Sequence, residues 1–166
     1  MNRHIIVPCR NEAGNIPFIV NDFLTNSQLG DNLWLVEGGS HDNTAEICFG
    51  YSSKENSIHY LNQIGRGKFG GVKTVINHLI EIGESGLVAI WDADNSIKFL
   101  DVSKALFLAE SSDCFVFTER IGATIEKGAM PLINNFGNRV IAFIASIVFK
   151  TKIKDALSVK IERRTS

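Results

Sequence analysis

The sequence predicts an α/β protein, with a mostly parallel central sheet flanked by helices in a single Rossmann-like domain covering residues 1–166. Three observations carry that reading. Short apolar runs of β character alternate with stretches of helical periodicity along the chain. The runs that read as strands are followed by loops rich in turn-forming and charged residues. The 166 residues suffice for one domain with a real core and are few for two, and no repeat, low-complexity tract or linker divides them.

Taken in order, Ile5-Ile6-Val7 reads as the first strand, stopped by Pro8. Ile16, Ile19, Val20, Phe23 and Leu24 then fall at helical spacing, and Pro17 suits a first helical turn. Leu33 to Val36 reads as a second strand, Thr44 to Tyr51 as a short helix and His59 to Leu61 as a weak third strand. Positions 72, 75, 76, 79, 80 and 82 describe an amphipathic helix from Val72 to Ile82. The apolar run from Gly86 to Trp91 is a strand, Val102 to Ala109 a helix, and Cys114 to Phe117 another strand. The longest helical candidate runs from Leu132 to Phe149, with Pro131 at its start.

Composition narrows the function. A hydrophobic fraction of 45% and a charged fraction of 21% are those of an ordinary globular protein. A net charge of -1 argues against a nucleic-acid binder, which would show a basic excess. Cys9, Cys48 and Cys114 are odd in number and widely spaced, so neither a disulfide framework nor a metal-ligand pair is expected, as suits a reducing cytoplasm. The Ile5-Ile6-Val7 run is too short for a signal peptide. Val140 to Phe149 is apolar except for Ser146. Ten residues of helix cover about 15 Å, half a hydrocarbon core, so this segment belongs in a core or lies on a bilayer surface.

The chemistry gathers at Trp91-Asp92-Ala93-Asp94-Asn95. Alternation places Asp92 and Asp94 on one side at the carboxyl end of a strand, where open α/β sheets bind ligands. Two acids so placed repel unless a cation joins them, and hard oxygen ligands suit Mg²⁺ or Mn²⁺. A plain surface turn is the competing reading, since Asp and Asn are common in turns. Three other loops would meet this one at the same sheet edge. Pro8-Cys9-Arg10-Asn11-Glu12 offers a guanidinium, an amide and a carboxylate. Glu37-Gly38-Gly39-Ser40-His41-Asp42-Asn43-Thr44 lets backbone approach a ligand, with Asp42 or Ser40 able to cap the next helix. Gly65-Arg66-Gly67-Lys68 sets basic groups at a helix amino terminus, an arrangement that favours phosphate.

Gly65-x-Gly67-x-x-Gly70 also matches the dinucleotide fingerprint, with Asp92 about twenty residues on. An NAD-dependent oxidoreductase is therefore a rival reading. Against it, Ile58 to Asn62 makes a poor central strand, and the paired acids and both earlier loops would have no task.

The order of motifs resembles family 2 glycosyltransferases: Ile6-Val7-Pro8-Cys9-Arg10-Asn11-Glu12, Leu35 to Thr44, Gly65-Arg66-Gly67-Lys68, and Trp91-Asp92-Ala93-Asp94. Glu126-Lys127-Gly128-Ala129-Met130, Asn134, Gly137-Asn138 and Lys154-Asp155-Ala156-Leu157 look like the branch of dolichyl-phosphate mannose synthases and polyprenyl-phosphate glycosyltransferases. The resemblance implies a glycosyltransferase-A fold and an inverting hexosyl transfer from a UDP- or GDP-sugar, with a polyprenyl phosphate at a membrane surface as acceptor. It implies that Asp92 and Asp94 hold Mg²⁺ or Mn²⁺ against the donor diphosphate. Pro8, Asn11, Glu12 and Glu37 would line the nucleotide pocket, Lys68 would lie close to the phosphates, and Arg120 would bind the transferred group or acceptor phosphate. The helix over 131–149 would rest at the cytoplasmic face of a bilayer, with Lys150, Lys152 and Lys154 near anionic headgroups. Departures from the family pattern fall at Gly38, where a second acid is usual, at Phe69, where glycine is usual, and at Pro131, where arginine is frequent. They raise an alternative, a relative that binds nucleotide-sugar with little or no turnover. Sugar, base and oligomeric state are not fixed by the motifs.

Overall fold

A computed structural model describes residues 1–112. The chain divides into a compact unit, Met1–Leu106, and a second from Phe107 onward; the architecture below is that of the first. The described elements are β1 (Arg3–Cys9), α1 (Ile16–Asn26), β2 (Asp31–Glu37), α2 (Thr44–Ser52), β3 (Ile58–Asn62), α3 (Gly67–Glu81), β4 (Leu87–Ile90) and α4 (Phe99–Ser112), of which α4 belongs to the first unit only as far as Leu106. The expected strand at Cys114 to Phe117, the helix from Leu132 to Phe149 and Arg120 lie outside the described residues.

The four strands form one sheet in the order β3-β2-β1-β4, parallel at every pairing. From β1 the chain steps outward to β2 and β3, then returns to the opposite side of β1 for β4. The order therefore reverses between β1 and β4, and at such a switch point the carboxyl ends of the strands open a crevice. The expected parallel α/β sheet is present.

Period-2 alternation divides the core between two faces. Ile5, Val7, Leu33 and Leu35 pack with Ile16, Ile19, Val20 and Phe23 of α1, Cys48 of α2 and Phe99, Val102 and Leu106 of α4. On the other face Ile6, Trp34 and Val36 meet Val72, Val75 and Leu79 of α3. Phe23 and Phe99 meet edge to face at 5.1 Å, and the Asp22 carboxylate accepts the Phe99 N–H at 2.9 Å, so α1 caps the start of α4.

Several sequence expectations need correction. β1 does not stop at Pro8 but runs through it to Cys9, with Pro8 opposite Val36. The proline is tolerated because the Trp91 N–H donates to the Ile6 carbonyl, so even-numbered groups of β1 face β4. The β1–β4 ladder ends at Ile6 and Ile90, and the N–H that Pro8 lacks would have pointed beyond it. Helix α3 starts five residues before Val72, and Ile76, Ile80 and Ile82 are exposed, because only a narrow stripe of α3 meets β1 and β2. Leu24 on α1 is likewise exposed.

Three histidines surround Trp34 on the α3 side. His59 stacks on the indole at 4.3 Å, His78 meets it edge-on at 5.4 Å, and His4 Nδ1 accepts the indole N–H at 3.3 Å. His4 Nε2 is buried and has no hydrogen-bond partner among the described residues. Burial lowers the pKa of His4, against the opposing pull of Glu84. Burial lowers that of His59 too, with His4 and His78 adding to the effect. Below the ordinary value of 6.5 the unfolded chain thus binds more protons than the folded one. Stability is expected to be full above that pH and to fall as pH drops through it. Urea midpoints should be lower at about pH 5.5 than at about pH 7.5, and His59→Phe, which keeps an aromatic stack without a titrating group, should flatten the difference. An undiminished pH difference in that variant would remove His59 from the account.

Candidate functional site

The loops at the carboxyl edge are built by backbone accepted into short polar side chains. Asn11, in the left-handed region at φ 56, turns the chain after β1. Its N–H donates to Ser40 Oγ at 3.0 Å, while its own side-chain oxygen accepts the His41 N–H at 2.8 Å. The Glu12 N–H donates to Thr44 Oγ1 at 2.8 Å and the Ala13 N–H to Asp42 at 3.2 Å. The loops after β1 and β2 are therefore laced together by four hydrogen bonds. The N-cap position of α2 is Asn43, without a side-chain capping bond, rather than the expected Asp42 or Ser40; Asp42, one residue earlier, accepts the Thr44 N–H in a local turn, and Ser40 serves Asn11 instead.

Glu37 ends β2 buried, and its carboxylate accepts the Ser40 N–H at 2.5 Å. Burial works to raise its pKa, but the hydrogen bonds from Ser40 and Gly39, with the Arg10 charge nearby, hold it below the ordinary carboxylate range. The Asp42 carboxyl is also lowered, first by the Thr44 hydroxyl and then by backbone N–H groups. Both groups stay ionised at neutral pH and stiffen the loop.

The third loop turns on glycine. Gly65 and Gly67 take φ values of 94 and 70, which favour glycine. Gln63 fastens it, its side-chain amide donating to the carbonyls of Gly65 at 3.2 Å and Gly67 at 3.0 Å. Among the described strands β3, which precedes this loop, is at the sheet edge, and a dinucleotide fingerprint belongs on a central strand.

The fourth loop follows β4. Ladder pairing ends at Ile90, short of Asp92, but the alternation continues: Trp91 and Ala93 are buried while Asp92 and Asp94 face outward. Trp91 is fully buried, donates its indole N–H to the Ile97 carbonyl at 3.0 Å and packs beside Phe99. The two acids are thus mounted on an anchored turn. The Asp94 carboxylate accepts the Ser96 N–H at 3.0 Å, and Lys68 Nζ forms an ion pair with Asp92.

These loops enclose an open cleft of about 290 Å³ at the switch point, lined by Pro8, Arg10, Glu12, Lys68, Asp92 and Asp94 among others. A second cleft of about 460 Å³, with Arg66 on its wall, shares Arg10, Gly38, Gln63 and Gly67 with it. Of the residues singled out from sequence, Pro8, Glu12, Lys68, Asp92 and Asp94 come together on the wall. Asn11 and Glu37 stand behind it, their side chains engaged within the loops. Glu12 accepts the Asn15 side-chain amide at 2.7 Å. Sequence reasoning missed Gln63, whose only signal was its place between a strand and a glycine loop. Cys9 also lines the cleft, but contact with Cys48 and burial hold its thiol well above its ordinary pKa, so it is a packing group rather than a nucleophile.

Asp92 and Asp94 supply the hard oxygens that a divalent cation prefers. Among the described residues no group of three or more His, Cys, Asp or Glu side chains could hold a metal. The fit is that of an incomplete site, two carboxylates beside a cleft, to which a bound ligand's oxygens would have to be added.

Comparison with known proteins bears on this arrangement. Glycosyltransferase AglJ of Haloferax volcanii is 28% identical over 155 residues, 93% of this chain and 47% of that protein. Glycosyltransferase GlyG of Streptococcus pneumoniae serotype 4 is 27% identical over 94 residues, 57% of this chain and 30% of that protein. The chain thus spans less than half the length of these curated relatives. Among solved structures, S. aureus TarS 1–349 superposes with a TM-score of 0.48 at 17% identity, covering 67% of this chain and 33% of that one. Its complex with UDP-GlcNAc gives 0.46 at 21% identity, over 67% and 32%. The family model for glycosyl transferase family 2 matches residues 4–162, nearly the whole chain, and the protein belongs to that family.

Proposed function

We propose that this protein transfers a sugar, with inversion, from a UDP- or GDP-sugar to a polyprenyl phosphate at the cytoplasmic face of a membrane, using Mg²⁺ or Mn²⁺. The observation that carries the donor half of this reading is the meeting of Lys68, Asp92 and Asp94 with the Pro8–Glu12 loop in one cleft at the switch point. Paired acids and a lysine at one cleft wall suit a diphosphate with its cation and little else. The neighbouring glycine-lined cleft, with Arg10 and Arg66, gives room for the rest of a nucleotide. Asp92 and Asp94 would hold the cation, which when bound offsets charge on the departing nucleoside diphosphate. Lys68 would neutralise a phosphate oxygen, and the buried Trp91 would keep both acids from drifting as charge develops. A lipid phosphate is already anionic, so no strong general base is required. The acceptor half rests on the resemblance of residues 126–157 to the polyprenyl-phosphate branch, with Arg120 and the 131–149 segment as its proposed contacts. No helix among the described residues is long and apolar enough to cross a membrane.

Thermal melting with UDP, GDP and NAD, each with and without Mn²⁺, tests the donor site, because a ligand that binds only the folded state raises Tm. A shift with UDP or GDP that grows with metal is expected and identifies the base. A metal-indifferent shift with NAD alone would overturn the reading. Release of nucleoside diphosphate dependent on added polyprenyl phosphate then separates an enzyme from a relative that only binds.

A further inference from the structure

We infer that Gln63 is the positioning residue for both basic side chains of the third loop, Arg66 and Lys68, and through them for the donor diphosphate. This rests on the donor-site reading above. The Gln63 backbone is held one residue past β3, where its N–H donates to the Glu37 carbonyl at 2.8 Å. From there its side-chain amide donates to the Gly65 carbonyl at 3.2 Å and to the Gly67 carbonyl at 3.0 Å. Those carbonyls belong to the planar peptide groups that join Gly65 to Arg66 and Gly67 to Lys68. One amide therefore fixes the two peptides that present the basic residues, Lys68 to the first cleft and Arg66 to the second, and Gln63 itself lines both.

The glycines around this amide keep its place open. A Cβ at Gly70 would lie 2.9 Å from Gln63 Nε2, and one at Gly38 or Gly71 would lie 3.2 Å from Oε1, the nearest atom in each case. None of these three glycines takes a left-handed φ. Close approach of the amide, rather than backbone conformation, therefore calls for glycine there. Gly38 is also where the family pattern has a second acid. A side chain at that position would press on the amide, so the departure at Gly38 and the presence of Gln63 go together. Gly65 and Gly67 leave the loop little stiffness of its own. The two hydrogen bonds from Gln63 supply it, and a loop already held in shape loses less freedom when a ligand binds.

The test measures binding of UDP and UMP, or of GDP and GMP, with Mn²⁺ by calorimetry in wild type, Gln63→Met and Gly70→Ala. Gln63→Met fills a similar volume but donates to neither carbonyl. Its affinity for the diphosphate should fall about tenfold, the order expected for two lost hydrogen bonds, while that for the monophosphate changes by less than about threefold. Gly70→Ala keeps Gln63 but sets a methyl against its donating nitrogen, and should show the same selective loss. A glutamine that only supported folding would lower the ligand-free Tm and leave the ratio of diphosphate to monophosphate affinity at its wild-type value. That ratio unchanged in Gln63→Met, or in Gly70→Ala should Gln63→Met not fold, overturns the role of Gln63 alone. Failure of the wild type to bind either UDP or GDP with Mn²⁺ overturns the donor-site reading and the role of Gln63 with it.

Discussion

Asp92→Ala and Asp94→Ala should each reduce glycosyl transfer by about 10²–10³-fold, the range found when one electrostatic stabiliser of a transition state is removed. The expectation follows from where the two carboxylates stand. Both lie on the cleft wall outside the hydrophobic core, on a turn pinned by Trp91. Removing either should leave folding stability within about 0.5–1 kcal/mol of wild type, as for other substitutions away from the core. Loss of transfer should therefore come with a nearly unchanged Tm in the absence of ligand, and with loss of the metal-dependent shift on adding nucleotide. The two variants should differ in one respect. Asp92→Ala releases Lys68 from its ion pair, so metal-free nucleoside diphosphate should bind at least as well as to wild type. Asp94→Ala leaves that pair in place. Full turnover in both variants would remove the acid pair from the mechanism.

The sequence marked the ingredients of this site better than it marked their mechanical roles. The apolar runs of β1 and β2, buried on both faces, and the 16, 19, 20, 23 spacing of α1, which buries one face, were legible as strands and a helix. Pro8 misled because a proline normally ends a central strand; here β4 stops pairing just where its missing N–H would be needed, a fact of the neighbouring strand that no local pattern contains. The exposed Ile76, Ile80 and Ile82 misled for a related reason, since periodicity gives the direction of an apolar stripe but not how wide its partner surface is. At the site, Asp92, Asp94 and Lys68 were visible as residue types with a plausible chemistry, whereas their ion pair spans 24 positions and required the fold. The family resemblance implied that Asn11 and Glu37 line the nucleotide pocket, and it carried no sign of the part they play inside the loops. The structure has them accepting hydrogen bonds from backbone N–H groups of the second loop, and Gln63 does comparable work in the third by donating to backbone carbonyls. These partners lie within loops whose conformations, including the left-handed turn at Asn11, have no periodic signature.

Far from the cleft, at the amino ends of β1 and β2, Asp31→Ala should destabilise the protein by about 3–5 kcal/mol, the usual cost of breaking a buried ion pair from one side. Arg3 and Asp31 face each other across the first rung of the β1–β2 ladder, and both are almost wholly buried. The contact is bidentate: Arg3 Nε donates to one carboxylate oxygen and Nη2 to the other, the latter at 2.6 Å. Asp31 also accepts the Gln28 N–H at 2.8 Å, so the same carboxylate fixes the turn that delivers β2. Its loss strands a buried guanidinium and an unpartnered backbone donor together, which is why the effect should exceed that of an ordinary surface pair, worth about 0–1 kcal/mol. Chemical denaturation should show the full decrease, with Tm lower by roughly 10 °C. Replacing both partners, as Arg3→Met with Asp31→Leu, should cost less than Asp31→Ala alone, because no uncompensated charge remains buried. A loss below about 1 kcal/mol in Asp31→Ala would mean that water reaches Arg3 at the sheet's amino edge and that β1–β2 register is set by hydrophobic alternation alone.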